Sequence, residues 1–198
     1  LVRGFFMSSE TPAFVLGNGK SRMVFEPEKL AIHGWVYGCN ALYRTFTPKV
    51  LVATDRPISN AIMDSGYALK NEFWTRRPKE NTGANKIERP FYGMSSGPVA
   101  ISRAAIKGHS VIYFIGFDLG SPTQFHNNVY SDTEFYKKAQ EKATYAGNWI
   151  TQIKEVAGHF KHIQFVRVTG PESSDVDFGR SNIDVITTKV LKRKLKHT

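Results

Sequence analysis

A single cysteine, Cys39, stands among 198 residues, which excludes an internal disulfide and any multi-cysteine zinc site and is compatible with a reducing compartment. Long apolar runs are missing as well, because none approaches the roughly 18–20 residues that cross a bilayer. Leu1, Val2, Arg3, Gly4, Phe5 and Phe6 are too short and too poorly flanked for a secretory signal. The expectation is a cytoplasmic protein whose first six residues are an upstream remnant ahead of Met7. The sequence carries no internal repeat, low-complexity block or His-Glu-x-x-His motif, so neither a solenoid nor a zinc centre is indicated. Acidic residues are scarce, 17 against 27 lysines and arginines, for a net charge of +10. That balance favours anionic partners such as nucleotides, nucleic acid or acidic surfaces. No RNP-type aromatic motif, zinc-finger spacing or heptad-linked basic region accompanies it, so nucleic acid is an alternative and not the favoured partner.

With 41% hydrophobic residues, the chain is long enough for one substantial core. Strand-like apolar runs recur at 13–16, 34–37, 50–53, 110–115 and 164–168, with helical patterns between several of them. The alternation predicts a single-domain α/β fold of Rossmann-like type, a mostly parallel sheet flanked by helices. A helix is predicted over 98–107, with Pro98 near its start, apolar Val99, Ile101, Ala105 and Ile106, and Gly108 as its cap. A second is predicted over about 145–157, where Tyr145, Trp149, Ile153 and Val156 have core-stripe spacing. The domain is therefore expected over 13–188, preceded by an extension at 1–12 and followed by a basic tail at 189–198. The polar segment 120–131 reads as a lid-like loop and 79–93 as a long excursion. Arg76, Arg77 and Lys79 read as part of a solvated loop.

Ligands in such sheets bind beyond the carboxyl ends of the strands. The first run, Phe14-Val15-Leu16, breaks into Gly17-Asn18-Gly19-Lys20-Ser21-Arg22, a turn able to approach a phosphate and flanked by cations. It fits neither the full Rossmann fingerprint nor a Walker A loop. Gly38-Cys39-Asn40-Ala41-Leu42-Tyr43 follows the second run, Thr54-Asp55-Arg56-Pro57 the third, and Gly116-Phe117-Asp118-Leu119 the run that ends at Ile115. Ser95-Ser96-Gly97-Pro98 opens a helix, where unpaired amides favour an anion. The plainer alternative for Asn40, Asp55 and Ser96 is turn or cap formation.

In this order the motifs resemble those of the bacterial lipooligosaccharide sialyltransferases and of the related archaeal 6-hydroxymethyl-dihydropterin diphosphokinase-like proteins. Those families carry Gly-Asn-Gly-Pro-Ser, Cys-Asn-x-x-Tyr, Ser-Gly at a helix start and Gly-(Ile/Phe)-Asp-(Phe/Leu). The resemblance covers about residues 13–120 and implies a nucleotide-binding Rossmann-like fold. It further implies a glycosyltransferase using a small-molecule nucleotide sugar of CMP type as donor, with an acceptor that the motifs do not identify. Gly17, Asn18, Gly19, Ser21, Asn40, Asp55, Ser96, Gly97 and Asp118 would then surround the nucleotide. Lys20 and Tyr130 would stabilise charge on the departing phosphate. His126, the one histidine of the 120–131 loop, would be the general base, with an ordinary surface histidine as the alternative. Two departures from the pattern, Lys20 for proline and Asp55 for asparagine, point instead toward a Mg2+- and ATP-dependent diphosphokinase. In that reading Asp55 and Asp118 orient the metal. A non-catalytic basic nucleic-acid-binding or assembly protein is the third reading.

Overall fold

The protein is described by a computed structural model over residues 11–196; the expected remnant at 1–6 and most of the extension at 1–12 lie outside the described residues. Eight strands are present: β1 (Ala13–Leu16), β2 (Trp35–Cys39), β3 (Val50–Val52), β4 (Phe73–Thr75), β5 (Asn85–Lys86), β6 (Val111–Ile115), β7 (Gln164–Thr169) and β8 (Ile183–Thr187). They form one sheet in the order β5-β4-β3-β2-β1-β6-β7-β8, and every pairing is parallel. The single-domain α/β expectation is therefore met.

The central strands are legible because both of their faces are covered. In β1, Ala13 and Val15 join the core beneath α3 (Ser96–Ile106) and α4 (Gly147–His159). Phe14 and Leu16 join the opposite core with α1 (Pro27–His33), α2 (Arg56–Asp64) and α5 (Thr188–Lys196). All four side chains are at most 2% exposed, so strand alternation appears in the sequence as one continuous apolar run. The small residues of α3, including Ala100 and Ala104, let it lie directly against β1, β2, β3 and β6.

The structure departs from the sequence reading at the periphery. Strands β4, β5 and β8 were not anticipated, because they are short or partly exposed; Val185 of β8 is 52% exposed. Helix α4 starts after Tyr145, whose ring is 80% exposed, so the core stripe consists of Trp149, Ile153 and Val156. The basic tail is a docked helix as far as Lys196, with Leu191 fully buried against the sheet. Burial of a leucine contributes about 1.5–3 kcal/mol, enough to hold a short helix in place.

Candidate functional site

Strand order reverses between β1 and β6, and the turns that follow these two strands face each other at the carboxyl edge of the sheet. Gly19 N donates to the Gly116 carbonyl at 2.7 Å, and Gly17 N to that of Ile115 at 2.8 Å. This close approach explains the glycines. A Cβ on Gly17 would lie 2.5 Å from the Gly116 oxygen, and one on Gly19 would lie 2.5 Å from Asp118 Oδ2. Gly19 has an ordinary φ of −65°. The residue type is thus dictated by protein packing at the turn, and a left-handed backbone is not the reason.

A cavity of about 370 Å3 opens at this crossing. Among the residues expected to line it, Gly17, Asn18, Gly19, Asn40, Asp55, Ser96, Gly97, Asp118 and His126 do so, whereas Lys20, Ser21 and Tyr130 do not. Lys20 is exposed, and its amide donates to Asn127 Oδ1 at 3.1 Å. Ser21 is buried, with its amide 3.1 Å from Asp118 Oδ2 and its hydroxyl unpartnered. Tyr130 is buried in the core; its hydroxyl accepts from Arg22 at 2.6 Å. Arg22 also donates to the Gly17 carbonyl at 2.9 Å, so this cation ties the first turn to the lid.

The Ser96 hydroxyl has no capacity left for a ligand. It donates to Asn40 Oδ1 at 2.9 Å and receives the amide and hydroxyl of Thr54, each at 3.0 Å. One donor and two lone pairs are thereby used. The consequence is orientational: with its Oδ1 committed to Ser96, Asn40 keeps its Nδ2 as the group to offer the cavity, on a backbone with φ +54°. The amides of Ser96 and Gly97 open α3 and have no acceptor inside the helix, so they and the helix dipole supply the anion-attracting element.

Asp118 is likewise a tie. Its Oδ2 accepts from Ser21 N and from Asn127 Nδ2 at 3.2 Å, and its Oδ1 accepts from Ser173 Oγ at 2.8 Å. Arg167, 1% exposed, donates to the carbonyls of Phe117 at 3.1 Å and Asp118 at 3.0 Å, holding the turn from β7. No group of three or more His, Cys, Asp or Glu able to hold a metal occurs among the described residues.

The lid is longer than expected. The chain between β6 and α4 spans 116–146 without a helix, and 120–131 is only its first part. An antiparallel bridge between Phe125 and Lys142 braces it, and Val129 N donates to the Asn18 carbonyl at 2.8 Å. Its second part supplies residues that sequence reasoning missed. The Tyr136 hydroxyl accepts from Ala41 N at 3.2 Å and from Asn18 Nδ2 at 3.4 Å, and burial pushes its pKa up. Lys137, exposed at the cavity, and the rings of Phe135 and Trp149 complete the lining. The aromatic and basic residues at 135–137 were the available signal.

His126 donates its backbone amide to Glu141 O at 2.8 Å, while its Nε2 is buried without a partner. Burial and then Lys137 lower its pKa, keeping the ring neutral. Cys39, also at the cavity, has its thiol pKa pushed up to about 12 by burial, so it is no thiolate nucleophile. No protein-family model, curated protein or solved structure matches the chain.

Proposed function

We propose that the protein is a transferase that takes a nucleotide sugar of CMP type as donor and moves the sugar to an acceptor hydroxyl. The observation that carries this reading is the opening of the α3 N-terminus into the cavity between Asn18 and Asn40, at the crossing of β1 and β6. The donor phosphate lies on the amides of Ser96 and Gly97. Asn40 Nδ2 and Asn18 read oxygens of the nucleotide, and Phe135 with Trp149 offers an aromatic wall. In the step itself, the acceptor oxygen attacks the anomeric carbon and the bond from that carbon to the phosphate oxygen breaks. The acceptor proton passes to His126, and the nucleoside monophosphate departs with the bonding electrons. Tyr136 and Lys137, which line the cavity, take the charge-stabilising roles first given to Tyr130 and Lys20. The depressed pKa of His126 leaves a free base at neutral pH.

The magnesium-dependent diphosphokinase reading is less well supported, because both oxygens of Asp118 accept protein hydrogen bonds. Thermal stabilisation by CMP, UDP, GDP and ATP, each with and without magnesium, tests the choice. At 100 times its dissociation constant a ligand adds about 2.7 kcal/mol. CMP is expected to stabilise without metal; stabilisation by ATP alone, and only with magnesium, would overturn the glycosyltransferase reading. His126→Ala is expected to lower turnover by about 10²–10⁴-fold while sparing CMP affinity, and full activity in that variant would remove His126 from the mechanism.

A further inference from the structure

On the far side of Asp55 from β1 lies a second concavity, a cleft of about 320 Å3 at the carboxyl ends of β3 and β4. Asp55 lines both this cleft and the donor cavity, so the two share it as a common wall. The walls of the cleft are basic. Arg56, Arg76, Arg77 and Lys79 line it together with Thr75.

These cations are not equivalent. Arg76 is structural: it donates to the carbonyls of Tyr92 and Gly93, both at 3.1 Å, and of Met94 at 2.7 Å, fixing the segment after β4 against the start of α3. Lys79 is paired with Asp64 at 2.6 Å. Arg56 and Arg77 are exposed, and neither guanidinium has a hydrogen bond or ion pair among the described residues, although the Arg56 carbonyl accepts from Ser59 Oγ at 3.2 Å. Arg56 also opens α2, whose N-cap Asp55 makes no side-chain capping bond; with Pro57 lacking an N–H, the amides of Arg56 and Ile58 are left at this helix start without a side-chain acceptor.

A second, independent observation comes from β4. Thr75 is 1% exposed and borders the cleft, yet its hydroxyl has no hydrogen-bond partner among the described residues. That hydroxyl is not among the fully buried unpartnered atoms, so it is open at the cleft wall, where a ligand oxygen can meet it. Two unpaired guanidinium groups, an uncapped helix start and an open hydroxyl border one space. Forked guanidinium donors and free amides match the three oxygens of a phosphomonoester. Asp55, the carboxylate in the cleft lining, also lines the donor cavity, where it would accept from a ligand hydroxyl and not meet the anion.

We infer that this cleft binds the phosphomonoester group of a phosphorylated organic acceptor, whose hydroxyl end reaches past Asp55 into the donor cavity. Anion binding by the cleft stands by itself; identification of its occupant as the acceptor rests on the transferase reading above.

Calorimetry with the full chain tests it, using glycerol 3-phosphate and inorganic phosphate as probes and CMP as the reporter of the donor cavity. Glycerol 3-phosphate is expected to bind the wild-type protein more tightly than inorganic phosphate does. The double variant Arg56→Gln/Arg77→Gln is expected to weaken it by at least about tenfold while CMP affinity stays within about twofold, as expected for a separate subsite. Thr75→Val, nearly isosteric, serves as a second variant and is expected to weaken glycerol 3-phosphate alone. Unchanged glycerol 3-phosphate affinity in the folded variants would overturn the site. Equal affinity for inorganic phosphate would overturn the organic occupant. Absence of CMP binding with intact glycerol 3-phosphate binding would sink the transferase reading and leave the cleft standing as an anion site.

Discussion

Replacing Asp118 separates a residue that binds ligand from one that holds the site together. Its carboxylate is 3% exposed and accepts three hydrogen bonds, from Ser21 N, Asn127 Nδ2 and Ser173 Oγ. In Asp118→Ala these partners fare differently. Asn127 Nδ2 keeps the carbonyls of Gly120 and Glu172, and Ser173 Oγ still accepts from Gly170 N. Ser21 N is left buried with nothing in reach, a penalty of about 1–3 kcal/mol. Adding the loss of charge-assisted bonds to the other two, partly recovered by water, gives a destabilisation of about 3–5 kcal/mol. Asp118→Asn keeps one oxygen for Ser21 N and Asn127, and its new amide faces a hydroxyl that can turn to accept; about 1 kcal/mol is expected. Urea unfolding with an unchanged m-value measures both losses. Hydrogen exchange should show the Ser21 and Val129 amides losing protection first in Asp118→Ala, since Asp118 links the first turn to the lid. A loss below about 1 kcal/mol in Asp118→Ala would refute the tying role and return this carboxylate to ligand or metal binding.

Gly19→Val places a Cβ 2.5 Å from Asp118 Oδ2 and 2.7 Å from the Gly116 carbonyl. It is expected to lower stability by about 1–3 kcal/mol or more, and a thermal melt equal to wild type would contradict the packing argument. The Cys39 thiol, with its pKa near 12, is expected to react with iodoacetamide at pH 8 about 10³-fold more slowly than an exposed cysteine, and labelling of the native protein at the exposed-thiol rate would show the cavity to be open there. His109 lies buried between the Thr11 carbonyl, 2.7 Å from Nδ1, and the Tyr37 hydroxyl, 2.9 Å from Nε2, an arrangement that suits a neutral ring. Burial lowers its pKa. The unfolded chain therefore binds more protons below about pH 6.5, so stability is complete above that value and falls as the pH drops through it. His109→Asn should flatten this slope in urea titrations at pH 5 to 8, and an unaltered slope would remove His109 as its source.

What the sequence determined by itself was the frame. Strands β1, β2, β3, β6 and β7 are buried on both faces, so their apolar runs announced a parallel sheet, and the Gly17–Gly19 turn after the first run marked the edge where ligands bind. Edge strands β4, β5 and β8 left no such run, being short or half solvated. Side-chain direction was beyond local reading altogether. Arg22 meets Tyr130 across 108 positions, Ser96 meets Asn40 across 56, and Asp118 meets Ser21 across 97. Each of those hydrogen bonds turned an expected ligand-facing group inward. The same closure drew Tyr136 and Lys137 from the second part of the lid to the cavity, and gathered Arg56 and Arg77, 21 positions apart, around the cleft beyond Asp55. Periodicity and turn chemistry are written within a few neighbouring residues. The partner that satisfies a buried donor or acceptor is supplied by a distant segment, and only the packed chain decides which one it is.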